Sequence, residues 1–174
     1  GLYNSAVFVD VTDPSNPVEI TRINGGGSIW RDLKYWDRHV YIGTEANDGV
    51  KIVSVDNLDN PILVNTISDF TNSHNIHIDS EGYLYVVGAS GCHMWIYDLS
   101  NPSNPDNVGC WDVEYIHDLD VYNDKAYAMG IYSGTAYIID LSDKTNPNTL
   151  TSWTYPPYWA HDAAVTTDEQ YLLT

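Results

Sequence analysis

One pair of residues, an arginine or histidine followed by an aspartate or asparagine, occurs four times along the chain at a nearly constant interval. The second members are Asp32, Asn75, Asp118 and Asp162, which lie 43, 43 and 44 residues apart. A fixed period of this size is typical of supersecondary units that stack or surround an axis. We therefore expect the four positions to be structurally equivalent. The same holds for the residues that precede them, which are Arg31, His74, His117 and His161.

The composition indicates an all-β protein and limits its partners. The chain has 14 tyrosines and 6 tryptophans, residues that favour strands. Its 24 acidic and 7 basic residues leave a formal charge of −17, so we expect no nucleic-acid partner. No apolar run reaches 18 residues, which argues against direct membrane insertion. The chain begins at Gly1 and stops at Thr174 within the pattern, so we expect a segment of a longer protein.

Each repeat contains four short strand-like runs separated by links of hairpin length, which is the anatomy of one blade of a β-propeller. We predict a single propeller domain or partial propeller over residues 1–174. Its complete blades span approximately 29–70, 72–112 and 115–155, and half-blades span 1–24 and 159–174. Either this is a window of a larger propeller, or the two ends complete each other in a closed four-bladed ring. We favour the window, because four blades is the lower limit.

A second periodic signal supports this register. Four turns end in Asn-Pro, at Pro17, Pro61, Pro105 and Pro147. Seven residues before each proline stands Asp10, Ser54, Asp98 or Asp140. Because a carboxylate at a strand end can accept hydrogen bonds from the amides of the turn that follows, we predict that the three aspartates cap their turns, and Ser54 is the exception.

The two cysteines, Cys92 and Cys110, lie within one repeat and do not form a CxxC pair, so a thiolate zinc site is improbable. A disulfide between them and a pair of buried free thiols both remain open, with the disulfide slightly favoured.

Longer strings around these signals resemble known families. The segments Trp95–Ser100 and Ile138–Ser142, each leading to Asn-Pro, resemble the LVIVD repeat of secreted bacterial β-propellers. An ordered series of motifs is similar to the choice-of-anchor B family. The series consists of Trp30–Lys34, Ser73–Ile76, Tyr115–Asp118, Ala160–Asp162 and Thr166–Leu172. This resemblance implies a bacterial protein, secreted or tethered to the cell surface, with further blades and a C-terminal sorting tail. It also strengthens the case for the disulfide, and it implies little about chemistry.

The first strand of a propeller blade lies nearest the axis, so the repeated histidines are predicted to line the central channel. His74, His117 and His161 are then candidate ligands of a divalent transition metal, with Asp118 and Asp162 orienting the rings. Calcium is the alternative ion, which would bind oxygen ligands in the links 47–49 or 56–59, although neither link has the spacing of a known calcium loop. The competing interpretation is that the His-Asp pairs only set the packing of the blades.

Residues beside the first strands form a second candidate site. Trp30, Arg31, Asp32, Tyr158 and Trp159 are predicted to line one mouth of the channel and to bind a glycan or peptide. The leading hypothesis is a non-enzymatic binding or scaffold module with an unknown protein or glycan ligand. The alternatives are a metal-dependent, oxidoreductase-like propeller enzyme and a glycan-binding module.

Overall fold

A computed structural model describes residues 1–156 and 159–174, and these residues form strands and turns without a helix. No helix that could span a membrane is therefore found in these two ranges. The strands are β1 Ser5–Asp10, β2 Val18–Asn24, β3 Arg31–Trp36, β4 His39–Thr44, β5 Val50–Ser54, β6 Ile62–Ile67, β7 Asn75–Ile78, β8 Tyr83–Val87, β9 Met94–Asp98, β10 Asp106–Trp111, β11 Asp118–Tyr122, β12 Lys125–Gly130, β13 Thr135–Asp140, β14 Asn148–Thr154, β15 Ala164–Val165 and β16 Leu172–Leu173.

The strands form three antiparallel four-stranded sheets, each made of consecutive strands in the order β3 to β6, β7 to β10 and β11 to β14. Two-stranded sheets, β1–β2 and β15–β16, occupy the ends. This arrangement confirms the all-β prediction of four-stranded blades. Within the described residues β1 pairs with β2 and β16 with β15, so the two ends do not join into one blade. The described residues therefore do not form the closed four-bladed ring, and their arrangement is consistent with the predicted window.

Apolar side chains pack between neighbouring sheets and thereby bring the first strands together. Tyr41 and Ile52 of the first complete sheet share one buried cluster with Leu84 of the second. Ile96 of the second sheet shares another with Ile139 of the third. Contacts between β3 and β7, between β7 and β11 and between β11 and β15 then place the first strands side by side around the axis.

The turn caps form as the sequence predicts. Oδ1 of Asp98 accepts a hydrogen bond from the amide of Ser100 at 2.7 Å, and Oδ1 of Asp140 accepts one from Ser142 at 2.9 Å. Asp10 caps Thr12 in the same way at 2.8 Å. The exceptional Ser54 also serves as a cap, through its hydroxyl. Each Asn-Pro turn joins the last two strands of its sheet, so these turns lie at one common end of the blades. We call this end the lower face.

Candidate functional site

The opposite end of the sheets, which we call the upper face, is where the first strands β3, β7, β11 and β15 begin. In an antiparallel four-stranded blade the links between second and third strands and those between consecutive blades reach this same end. The upper face is therefore built from the links 25–30, 45–49, 68–74, 88–93, 112–117 and 131–134, together with the described part of the link before β15.

A continuous row of aromatic rings runs across the upper face from blade to blade. The indole of Trp30 stacks on the imidazole of His74, with centroids 4.5 Å apart. The His74 and His117 rings lie 3.9 Å apart, and the His117 and His161 rings lie 4.4 Å apart. The three predicted histidines are thus neighbours. His74 and His117 are buried, whereas His161 is exposed.

The two buried imidazoles are oriented by hydrogen bonds at Nδ1. The Nδ1 atom of His74 lies 2.8 Å from Oε1 of Glu45, and Nδ1 of His117 lies 3.2 Å from the backbone carbonyl of His161. Burial and the neighbouring His74 lower the pKa of His117, which favours its neutral form at physiological pH. In both residues Nε2 is left as the nitrogen available to a further partner.

The aspartates and the asparagine of the repeated pairs accept hydrogen bonds from backbone amides. Oδ1 of each side chain accepts a hydrogen bond from the amide of the next residue, at 2.7 to 2.9 Å. These side chains belong to Asp32, Asn75, Asp118 and Asp162. The hydrogen bonds that orient the His74 and His117 rings are made to groups other than these aspartates. The structure assigns that role to Glu45 and the His161 carbonyl.

Asp118 is buried, and this burial together with the nearby Asp162 raises the pKa of its carboxyl group. Asp32 links two blades, because its Oδ2 accepts a hydrogen bond from the amide of Ile76 at 3.2 Å. The Asp32 side chain therefore joins the first strands of two neighbouring blades.

The repeat equates Arg31 with the histidines, but in the structure it is Trp30, and not Arg31, that lies next to His74. The Arg31 guanidinium donates hydrogen bonds to the backbone carbonyls of Leu2, Tyr3 and Gly26, at 2.7 to 3.2 Å. It is thereby turned toward the N-terminal segment, while Trp30 extends the histidine row.

Several large side chains on the upper face are exposed. Trp30 is 36% exposed, Trp159 67% and Tyr132 73%. The Tyr132 ring lies 5.4 Å from that of Tyr115, which joins it to the link before β11. The predicted ligand-binding residue Tyr158 lies outside the described residues. The described aromatics are thus placed where a partner can reach them.

A preformed three-ligand metal site is not found among the histidines in the described part of the chain. The three side chains there whose ligand atoms all lie within 4.8 Å of one another belong to Cys92, Cys110 and Asp112. The two sulfur atoms form a disulfide, which confirms the predicted pairing and removes them as thiolate ligands.

Two contributors to the site were not predicted from the sequence, Glu45 and Tyr132. Both lie in links between second and third strands, and the period gave no signal for them because neither residue type recurs in the equivalent links. The acidic residues in one of these links and the tyrosine in the other are the sequence features that could have indicated them.

Four-stranded blades whose first strands adjoin around an axis define a β-propeller, seen here as a window. The LVIVD-repeat family model matches residues 3–25 and 72–113, so the chain carries LVIVD repeats, as the resemblance implied. No curated protein sequence matches the chain.

Two solved structures show the same type of fold. A crystal structure of a protein from Lactobacillus plantarum is 13% identical, with a TM-score of 0.75, and the match covers 99% of this chain and 61% of that one. The N-terminal domain of Nup159 is 10% identical, with a TM-score of 0.52, and the match covers 84% of this chain and 36% of that domain. The chain thus spans less than two thirds of either protein.

Proposed function

We propose that this propeller is a non-catalytic recognition module, secreted or displayed on a bacterial cell surface, whose upper face binds a positively charged segment of a partner protein. The observation that carries the proposal is the set of exposed aromatic side chains around the histidine row. Exposed apolar groups gathered on one face mark interaction sites more often than scattered ones do.

The aromatic groups suit a ligand with both apolar and cationic parts. Trp30 and Tyr132 present rings at the surface, and Ile29 and Val113 add apolar area at 92% and 65% exposure. Tryptophan and tyrosine are enriched at protein interfaces because they bury a large area and keep a polar group. Their ring faces also attract lysine and arginine side chains.

The charges on the upper face favour the same class of partner. Arg31 is bound by backbone carbonyls, and Lys51 is bound by Asp48 and by the carbonyl of Asn24. By contrast, the side chains of Glu45 and Asp112 are 43% and 60% exposed, and each lies beside a histidine. Together with the formal charge of −17, these carboxylates attract a basic partner and accelerate its association.

The extracellular location rests on two supports. A structural disulfide is typical of oxidising compartments. The resemblance to the choice-of-anchor B family implies a sorting tail, and that membership is part of the proposal.

The proposal is tested with two panels of probes: peptides rich in lysine, arginine and aromatic residues with acidic counterparts, and neutral glycans. We expect the basic peptides to bind, with affinity that decreases as salt is raised. Tyr132→Ala and Trp30→Ala should weaken binding at least about tenfold, the size expected for truncating a central aromatic contact.

The matched control is Tyr35→Ala, since Tyr35 is 62% exposed near the end of β3 that reaches the lower face. Its binding should equal that of the unmodified chain. If only the glycans bind, the proposed basic protein partner is wrong and the ligand is a carbohydrate. Peptide binding that survives both upper-face substitutions would refute the proposed site.

A further inference from the structure

We infer that His74 and His117 form a binding site for one divalent first-row transition-metal ion, held through their Nε2 atoms. This inference does not depend on the proposed recognition of a basic partner, because it concerns the imidazole nitrogens of two buried histidines and not the exposed aromatic rings.

The first argument is an unsatisfied polar atom. His74 is 8% exposed, and its Nε2 atom is buried without a hydrogen-bond partner in the described structure. A buried polar group without a partner costs roughly 1–3 kcal/mol, so proteins rarely keep one without a reason. An ion at this nitrogen satisfies it.

The second argument is how the two rings are held. Histidines that bind metals usually donate the proton of their other ring nitrogen to a carboxylate or a backbone carbonyl, which fixes the ring and selects the free nitrogen. Glu45 supplies the carboxylate for His74, and the backbone of His161 supplies the carbonyl for His117. His39 shows the contrasting case. Its two nitrogens are both occupied, by the Asp37 carbonyl and by the Ser103 hydroxyl.

The chemistry of the nitrogens selects the ion. Imidazole suits Zn²⁺, Cu²⁺, Ni²⁺ and Co²⁺, whereas Ca²⁺ requires a shell of oxygen ligands. With metal–nitrogen distances of about 2.0–2.1 Å, two imidazoles around a tetrahedral ion have centroids roughly 5 Å apart. The His74 and His117 centroids lie 3.9 Å apart, so the rings must separate by roughly 1 Å on binding. His161, 4.4 Å from His117 and exposed, and water are the candidates for the remaining positions.

The experiment uses tag-free chain, titrated calorimetrically with Zn²⁺ and followed by visible absorption with Co²⁺. We expect one equivalent to bind, no competition from Ca²⁺, and weaker binding as the pH falls from 7.5 to 5.5 because protons compete for the imidazoles. His74→Phe and His117→Phe keep an aromatic ring in the row and should abolish stoichiometric binding. Glu45→Gln lies at the surface and should weaken it about 10- to 100-fold.

The matched control is His93→Phe. His93 also has a buried Nδ1 without a hydrogen-bond partner in the described structure, but the aromatic ring recorded beside it is that of Tyr115 and not a second imidazole. This variant should bind the ion as the unmodified chain does. Absence of stoichiometric Zn²⁺ binding would overturn the inference. So would binding that persists in His74→Phe and His117→Phe, or an unchanged affinity in Glu45→Gln.

Discussion

The disulfide between Cys92 and Cys110 allows the most quantitative prediction. It joins the link after β8 to the outer strand β10, across a sequence separation of 18 residues. In the chain-entropy model, closing a loop of that length destabilises the unfolded chain by about 3 kcal/mol at 25 °C. For a protein of this size, each kcal/mol changes the melting temperature by about 2–4 °C, so losing the bond should lower it by roughly 6–12 °C.

The assay is urea unfolding at pH 7 of the oxidised chain, the reduced chain and the double variant Cys92→Ala with Cys110→Ala. Reduction should bring the unmodified chain close to the double variant and leave the variant itself unchanged. This comparison separates the cross-link from the packing of the buried Cys92 side chain. A loss below about 1 kcal/mol on reduction would refute the reasoning, because the cross-link would then not restrict the unfolded chain as the model requires.

Two further predictions test the packing of the blades. The pKa of Asp118 is raised by burial and by Asp162, so the folded state holds that proton more tightly than the unfolded state and loses stability as the group ionises. Asp118→Asn, which places there the residue type of Asn75, should therefore be more stable at pH 7, and urea titrations should show the advantage disappearing below about pH 4. An advantage that persists at pH 3 would contradict the assignment. A Cβ on Gly109 would lie 2.0 Å from the Lys144 carbonyl oxygen of the next blade. Gly109→Ala should lower the free energy of unfolding by roughly 1–3 kcal/mol or more in the same assay, and an unchanged value would show that the blades are not this close.

Much of the fold was predictable because one period controls it. The caps at Asp98 and Asp140 followed from the position of polar residues before a proline turn, and the hydrogen bonds confirm them. The neighbouring positions of the repeated histidines likewise followed from their place at the start of first strands.

The orientation of individual side chains was less predictable. Repetition equates Arg31 with His74, but the N-terminal segment offers carbonyls that the guanidinium binds, and Trp30 enters the row instead. A periodic argument cannot include contacts made by one blade alone. The role of Glu45 could not be predicted for the same reason, because the equivalent links of the other blades contain no acidic residue.

The recognition proposal is tested most directly by NMR of the isotopically labelled chain during titration with a basic, aromatic peptide. We predict saturable shift changes concentrated at Trp30, Tyr115 and Tyr132, with the amides of the Asn-Pro turns unchanged. Changes centred on those turns, or a spectrum unaffected at millimolar peptide, would contradict a binding site on the upper face.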